Sequence, residues 1–295
     1  MAPSRTWLGV AMALTSAVLF GFVNAVAKDG SVEPLVLTGL TYLIAGLVAL
    51  PFAFGFRPAR RDLPVLAAMA FTGGFLAPAA LFFGLRSTAA SDASLLLTTD
   101  MLFTVLLARI ALGERPGPRA LGGIALLFLA AVAIASAAAG RGGSTLGGVL
   151  LVLLAAFGWA VDNVLGASLM GRHKAHHLLV VKGLGGGVLA LALAASLGQS
   201  VAVPAGSWPG VLFIGVLGIG ASAFAFYVAL GAIGASRSSA ILWPGVALTG
   251  VAAGALLLHE PLTWVHGAAA AFVVAGVLLV ATGRATRAAT ASPAA

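Results

Sequence analysis

The chain has 295 residues, of which 61% are hydrophobic and 8% charged, and its formal net charge is +8. Soluble domains carry about 25% charged and roughly 45–50% apolar residues, so a water-exposed globule is excluded and a lipid bilayer is the expected solvent. The absence of cysteine excludes disulfides, thiolate metal sites and cysteine nucleophiles. The basic residues lie between apolar runs, which favours a topological role for the positive charge over nucleic-acid binding.

Ten apolar runs are each long enough to cross a bilayer, which takes about 20 residues. Short connections rich in glycine, proline and charge separate these runs. The expected fold is therefore an all-α integral membrane protein with ten transmembrane helices. The predicted spans are 7–27, 35–55, 64–84, 93–112, 119–138, 146–168, 177–197, 208–229, 238–258 and 264–283.

The distribution of lysine and arginine predicts the orientation, because cytoplasmic loops carry an excess of both. With the N-terminus in the cytoplasm, eleven basic residues fall in inside loops and three, Lys28, Arg86 and Arg141, fall outside. Both termini are therefore expected in the cytoplasm, and the protein is expected in the inner (plasma) membrane.

The two halves of the chain repeat one plan, and Asn24 in the first aligns with Asn163 in the second. Each half contains five predicted helices, so the second half enters the membrane from the opposite side. The predicted units are 1–138, 146–283 and a flexible tail at 284–295. Inverted repeats of this kind are common in secondary transporters, whose binding sites lie between the halves near mid-membrane.

Three motifs accompany this plan. The halves open with Phe20-Gly21 and Trp159-Ala160, and a Gly113-Glu114-x-Pro sequence closes the fourth predicted span. With these motifs in this order, the chain resembles the EamA type of the drug/metabolite transporter superfamily. The resemblance covers nearly the whole chain and implies metabolite efflux. Many relatives carry Glu-Pro in the fourth helix where this chain has Asp100-Met101, so the acid is kept without the proline.

Charged residues inside the predicted spans are candidates for function, because an Asp or Lys at a helix centre costs about 2.5–3.5 kcal/mol. Asp162 in the sixth span and Lys182 in the seventh are predicted at similar depth on neighbouring helices, so we expect an ion pair, either a structural clamp or part of the mechanism. Asp100 shares a helix face with Thr104. It could hold a substrate ammonium or a coupling proton, or make an interhelical hydrogen bond.

Weaker candidates are the amides Asn24 and Asn163, for which interhelical hydrogen bonding is the alternative, and Thr249, the repeat partner of Thr104. No metal or cofactor is expected, since the histidines at 173–177 lie in a basic loop without a carboxylate. Aromatic candidates for a pocket wall, with packing as the alternative, are Trp159, Phe82, Tyr227 and Trp243.

The expected function is a secondary transporter that exports a small organic solute, such as an amino acid or related metabolite, by alternating access. Its expected partners are a coupling proton or an exchange solute and the lipid bilayer, and it could act as a monomer or homodimer. An intramembrane enzyme acting on lipid is an alternative, against which stands the lack of a nucleophile–base motif. A non-transporting receptor or scaffold is another, and the repeat with its intramembrane charges argues against it.

The charge bias yields a topology prediction. Reporters fused after Ser292 and inserted in the Arg57–Asp62 loop should both report a cytoplasmic location, because basic loops are retained on that side. A reporter in the Gln199–Pro204 loop serves as the exterior control. An exterior signal at either of the first two positions would refute the ten-span orientation.

Overall fold

The structure, a computed structural model, describes residues 3–28, 30–111, 114–115, 117–139, 144–282 and 286–287. Within these residues, regular structure is helical except for a two-residue antiparallel pair, β1 (Glu114–Arg115) with β2 (Thr286–Arg287). The all-α prediction is therefore confirmed. The predicted tail lies outside the described residues apart from β2, and so does Arg141.

The described helices follow the predicted spans in order. The first half contains α1 (Pro3–Gly21), α2 (Val23–Ala27), α3 (Pro34–Ala49), α4 (Leu63–Phe71), α5 (Ala77–Leu85), α6 (Ala90–Leu96), α7 (Thr99–Ala111) and α8 (Pro118–Ala139). The second half contains α9 (Leu146–Leu169), α10 (Ala175–Ser196), α11 (Trp208–Leu212), α12 (Ser222–Ile233), α13 (Ala235–Leu257) and α14 (Trp264–Thr282). Short 3₁₀ turns occupy Leu50–Ala53, Arg60–Asp62 and Ala205–Ser207.

Eight helical segments of the described residues are long and apolar enough to cross a membrane. The apolar stretches found in α8 and α14, at Leu121–Ala130 and Trp264–Gly276, are shorter than a full span. These two helices pack against each other. The chain is thus a multi-pass membrane protein, and the fifth and tenth spans stay predictions, as do the positions of the termini.

Several of the spanning segments are interrupted. Phe22 separates α1 from α2, and Leu97 with Thr98 separates α6 from α7, directly before Asp100. π-Helical turns occur at Thr72–Leu76 and Phe213–Ala221, in the third and eighth spans, which are repeat partners. π-Turns and broken helices are frequent at functional sites, where irregular backbone lines a cavity or lies buried in protein.

The π-turn at Thr72–Leu76 packs against both α9 and α10. A Cβ on Gly73 would collide with the Asp162 side chain, and one on Gly74 would collide with the Lys182 carbonyl oxygen. The two glycines therefore let both helices approach the third span closely. The sixth and seventh spans, which were predicted to be neighbours, meet through the side chains of Asp162 and Lys182 more than through their backbones. Helix α10 packs mainly against α3, and α9 packs mainly against α5 and α7.

This packing predicts the effect of a single methyl group. Gly74→Ala should lower the free energy of unfolding by about 1–3 kcal/mol, because the added Cβ has no space between the π-turn and α10. Gly122→Ala on α8, where a Cβ would meet no atom within 4 Å, is the matched control and should be neutral or slightly stabilising. Thermal unfolding in detergent measures both, and equal behaviour of the two variants would contradict the packing.

Candidate solute-binding site

A buried ion pair links α9 to α10. Lys182 Nζ donates to Asp162 Oδ2 at 2.5 Å, and the two side chains are 7% and 2% exposed. Tyr227 on α12 donates its hydroxyl to the same carboxylate oxygen at 3.2 Å. The Lys182 ammonium also lies 5.5 Å from the Tyr227 ring centroid, within the range of a cation–π contact. Three helices thus meet at one carboxylate, and the ion pair predicted from the sequence is present.

A second polar cluster surrounds Asp100 at the start of α7. Asn163 Nδ2 donates to both carboxylate oxygens, at 3.0 and 3.1 Å, and Thr104 Oγ1 donates to Oδ1 at 3.0 Å. Ser239 on α13 lies 3.4 Å from the same Asn163 nitrogen. Asp100 and Thr104 are both 0% exposed, so the carboxyl is bound entirely by neutral donors within the protein.

Consecutive residues of α9 join the two clusters. Asp162 binds Lys182, while Asn163 binds Asp100. Successive side chains on an α-helix point about 100° apart, because 3.6 residues make one turn. Helix α9 therefore presents its acid to α10 and α12 and its amide to α7 and α13, and any rotation of α9 would disturb both clusters.

Aromatic rings form the other side of the site. Trp159 and Trp243 lie with ring centroids 5.8 Å apart and planes inclined by 33°. Phe20 meets both edge-on, at 5.3 and 5.8 Å. Trp159 Nε1 donates to the Gly73 carbonyl at 3.3 Å, which ties this wall to the π-turn. Trp243 Nε1 is buried and lies near the Asp100 carboxyl, without a hydrogen bond of normal geometry among the described residues.

These groups enclose a cavity between the two halves of the chain. Its lining includes Ser16, Phe20, Tyr42, Trp159, Asp162, Asn163, Lys182, Ser222, Tyr227 and Trp243. The space open to the centres of water-sized molecules is about 50 Å³, against roughly 300–1,000 Å³ for pockets that hold a small ligand. The space is therefore too small for such a ligand in this conformation, and its wall contains both the ion pair of Asp162 with Lys182 and the aromatic rings.

Of the residues predicted for the site, six line the cavity: Asp162, Asn163, Lys182, Trp159, Tyr227 and Trp243. Asp100 and Thr104 lie behind Asn163.

The other three predicted residues are elsewhere. Asn24 donates to Ser94 at 2.8 Å, and Thr249 donates to the Gly245 carbonyl of its own helix at 2.7 Å. Phe82 is buried in the core on α5 and does not line the cavity.

Four polar side chains at the site were not among the residues predicted from the sequence. Ser239 approaches Asn163, Tyr42 lines the cavity, and Ser16 and Ser222 are hydrogen-bonded to each other at 2.9 Å. Hydroxyls in apolar runs are a weak signal, because they are commonly satisfied by a carbonyl one turn back in their own helix. Tyr42, one of two tyrosines in the chain, is the one that sequence could have suggested.

Further polar contacts tie the helix ends together. At one face of the bundle, Asp62 accepts from Arg172 at 2.9 Å and bonds His173 at 2.8 Å. At the other face, Glu260 accepts from the first amides of α6, Ala90 N and Ser91 N, at 2.7 and 2.8 Å, as a carboxylate at a helix N-terminus does. These contacts join neighbouring helix ends at each face of the bundle.

Lys28 lies at the same face of the helix bundle as Glu260. Its ammonium donates to the carbonyls of Leu85 and Thr88. Partial burial lowers the pKa of Lys28 from its ordinary value, and the nearby Glu260 carboxylate opposes that shift.

Comparison with known proteins identifies this architecture. The model of the EamA-like transporter family matches residues 7–136 and 146–282, one match in each half. The chain belongs to this family. The resemblance stated from its motifs is confirmed, and the protein is a membrane transporter by family.

Two relatives align over most of their length. An "uncharacterized transporter" of Methanothermobacter thermautotrophicus is 28% identical, with 94% of this chain and 86% of the relative aligned. A "probable terminal-alkyne amino-acid exporter" of Streptantibioticus cattleyicolor is 30% identical, with 91% and 94% aligned.

A third relative aligns over about half its length. This "probable amino-acid metabolite efflux pump" of Escherichia coli is 30% identical over 55% of this chain and 54% of the relative. Among solved structures, a crystal structure 20% identical in sequence aligns with 96% of this chain and 99% of its own, at a TM-score of 0.72, which shows a shared fold.

The buried pair makes a prediction about stability. Asp162→Asn and Lys182→Met should each cost about 3–5 kcal/mol, because each leaves one buried charge without its partner. The double variant should recover most of that loss, since neither charge remains. Lys174→Met, which removes an exposed lysine from the loop before α10, is the control. Thermal unfolding in detergent checks all four, and single effects that merely add would show that the two residues are not coupled.

Proposed function

We propose that this EamA-family protein exports an amino acid or a related metabolite across the inner membrane by alternating access. The observation that carries the proposal is the narrow cavity between the halves, which is lined by a carboxylate, an ammonium and aromatic rings. A zwitterionic solute presents the complementary pair of charges.

The ion pair can exchange partners with such a solute. The solute carboxylate binds Lys182 and its ammonium binds Asp162, so each buried charge keeps an opposite neighbour when the protein's own pair opens. A solute with one charge would leave either Lys182 or Asp162 unpaired in the membrane interior, which is costly.

Neighbouring groups complete the site. The Tyr227 hydroxyl, which already donates to Asp162, and the Trp243 indole N–H, which makes no hydrogen bond of normal geometry, provide donors for a carboxylate. The rings of Phe20, Trp159 and Trp243 contact the apolar part of the solute. Aromatic walls with few polar groups are typical of small-molecule sites.

Alternating access requires the cavity to enlarge and open to each face in turn. The π-turns in the third and eighth spans and the break before Asp100 are the positions where the backbone can adjust at low cost. We also propose that the chain forms two inverted five-helix repeats with ten spans, and that both termini lie in the cytoplasm. Export as the direction is supported by the names of the Streptantibioticus cattleyicolor and Escherichia coli relatives.

Solute exchange in liposomes tests the proposal. Purified protein should exchange at least one radiolabelled amino acid. The matching amine, which lacks the carboxylate, and the matching acid, which lacks the ammonium, should compete at least about tenfold more weakly, a difference of about 1.4 kcal/mol.

Lys182→Met should abolish this discrimination against the amine, while Lys174→Met should retain it. Absence of exchange for every amino acid tested, or an amine that competes as well as its parent, would refute the zwitterion site.

A further inference from the structure

The charges around the cavity do not balance. Two carboxyl groups, Asp100 and Asp162, are buried there with one ammonium, Lys182. The hydrogen bond of Lys182 goes to Asp162, which leaves Asp100 with no cation among its described contacts. Both acids in the ionised form would give this interior a net charge of −1.

The elements packed against α7 supply no other counter-charge close to Asp100. Their charged side chains, among those that the structure describes, are Asp162 on α9, Arg119 on α8 and Arg237 on α13. Both arginines are exposed, and so is Arg109, which lies more than two turns along α7 from Asp100. The groups closest to Asp100 are the Asn163 amide, the Thr104 hydroxyl and the Trp243 indole, and all three are neutral.

An unpaired ion in a low-dielectric interior is so costly that the group neutralises instead. We propose that Asp100 is a proton-binding site, and that its carboxylate must take up a proton for the cavity to close. In closing, the carboxylate takes H⁺ from water in the cavity and becomes a carboxylic acid. In opening, the acid returns H⁺ to water that enters the cavity.

Helix α9 connects this proton to solute binding. Asn163, which holds the Asp100 carboxyl, adjoins Asp162, whose pair with Lys182 opens to admit the solute. Movement of α9 that separates Asp162 from Lys182 also shifts the amide on Asp100 and lets water reach it. The effect of this proton on transport rests on the proposed function. The protonation of Asp100 itself can be measured without transport.

The sign of the pH effect follows from linkage. The closed state binds one more proton than the open state, so a rise in pH destabilises the closed state relative to the open one. Because every crossing passes through the closed state, solute exchange slows as pH rises, by up to about tenfold per pH unit once Asp100 titrates.

Infrared spectroscopy of the purified full chain in detergent at neutral pH tests the site directly. The wild-type spectrum should contain the carbonyl band of a protonated carboxylic acid, and Asp100→Asn should remove it. Asp62→Asn is the matched control: Asp62 is also buried but is bound by Arg172 and His173, so its loss should leave the band in place. A wild type without the band, or a band that Asp100→Asn leaves intact, would overturn the proposal.

A second variant keeps the proposal testable if Asp100→Asn does not fold. Thr104→Val keeps the carboxyl and removes one of its hydrogen-bond donors, so it should shift the band, and an unshifted band would count against the assignment. In liposomes at equal pH on both sides, wild-type exchange should fall with rising pH and Asp100→Asn should flatten that profile. If the band behaves as expected but no amino acid is exchanged, the proposed function fails while the proton site stands.

Discussion

The contact between Asp162 and Lys182 is the interaction on which the rest of the site depends. Its two side chains come from helices that make few backbone contacts with each other, and they meet beside Gly73 and Gly74 of the third span. A larger side chain at either glycine would occupy the space of the pair. The buried charges and the bare backbone therefore require one another: the glycines allow α9 and α10 to approach, and the ion pair makes burial of both charges tolerable.

Helix α9 connects this ion pair to the polar cluster around Asp100. Its consecutive residues Asp162 and Asn163 hold two different neighbours, so the charged end of the cavity and the Asp100 cluster share one support. Trp159, one turn earlier on the same helix, contributes the aromatic wall and bonds the π-turn at Gly73. A single helix thus positions acid, amide and ring, so a movement of α9 would shift all three together.

The repeat supplies the frame and departs from symmetry where polar groups are needed. Both halves have a π-turn in the third helix of the repeat, at Thr72–Leu76 and Phe213–Ala221. The polar residues differ: the first half has Val23 where the second has Asp162, and the second has Gly245 where the first has Asp100. In the inverted repeat that we propose, both halves contribute to a central site, and the unequal residues supply its charge.

The sequence by itself determined the membrane class and the order of the helices, because composition sets the solvent and span length follows from bilayer thickness. It also indicated the ion pair, since two charges at similar depth in an apolar setting have to find each other. Only the tertiary structure decided the neighbours. Asn24 and Thr249, which the repeat alignment placed in the site, bind Ser94 and a carbonyl of α13 instead, while Ser239 joins the Asp100 cluster. The physical reason is that the partner of a hydrogen-bonding side chain depends on which faces of distant helices pack together. The glycines Gly73 and Gly74, for example, let the third span pack against both α9 and α10, although these two helices are the ones that a short loop connects.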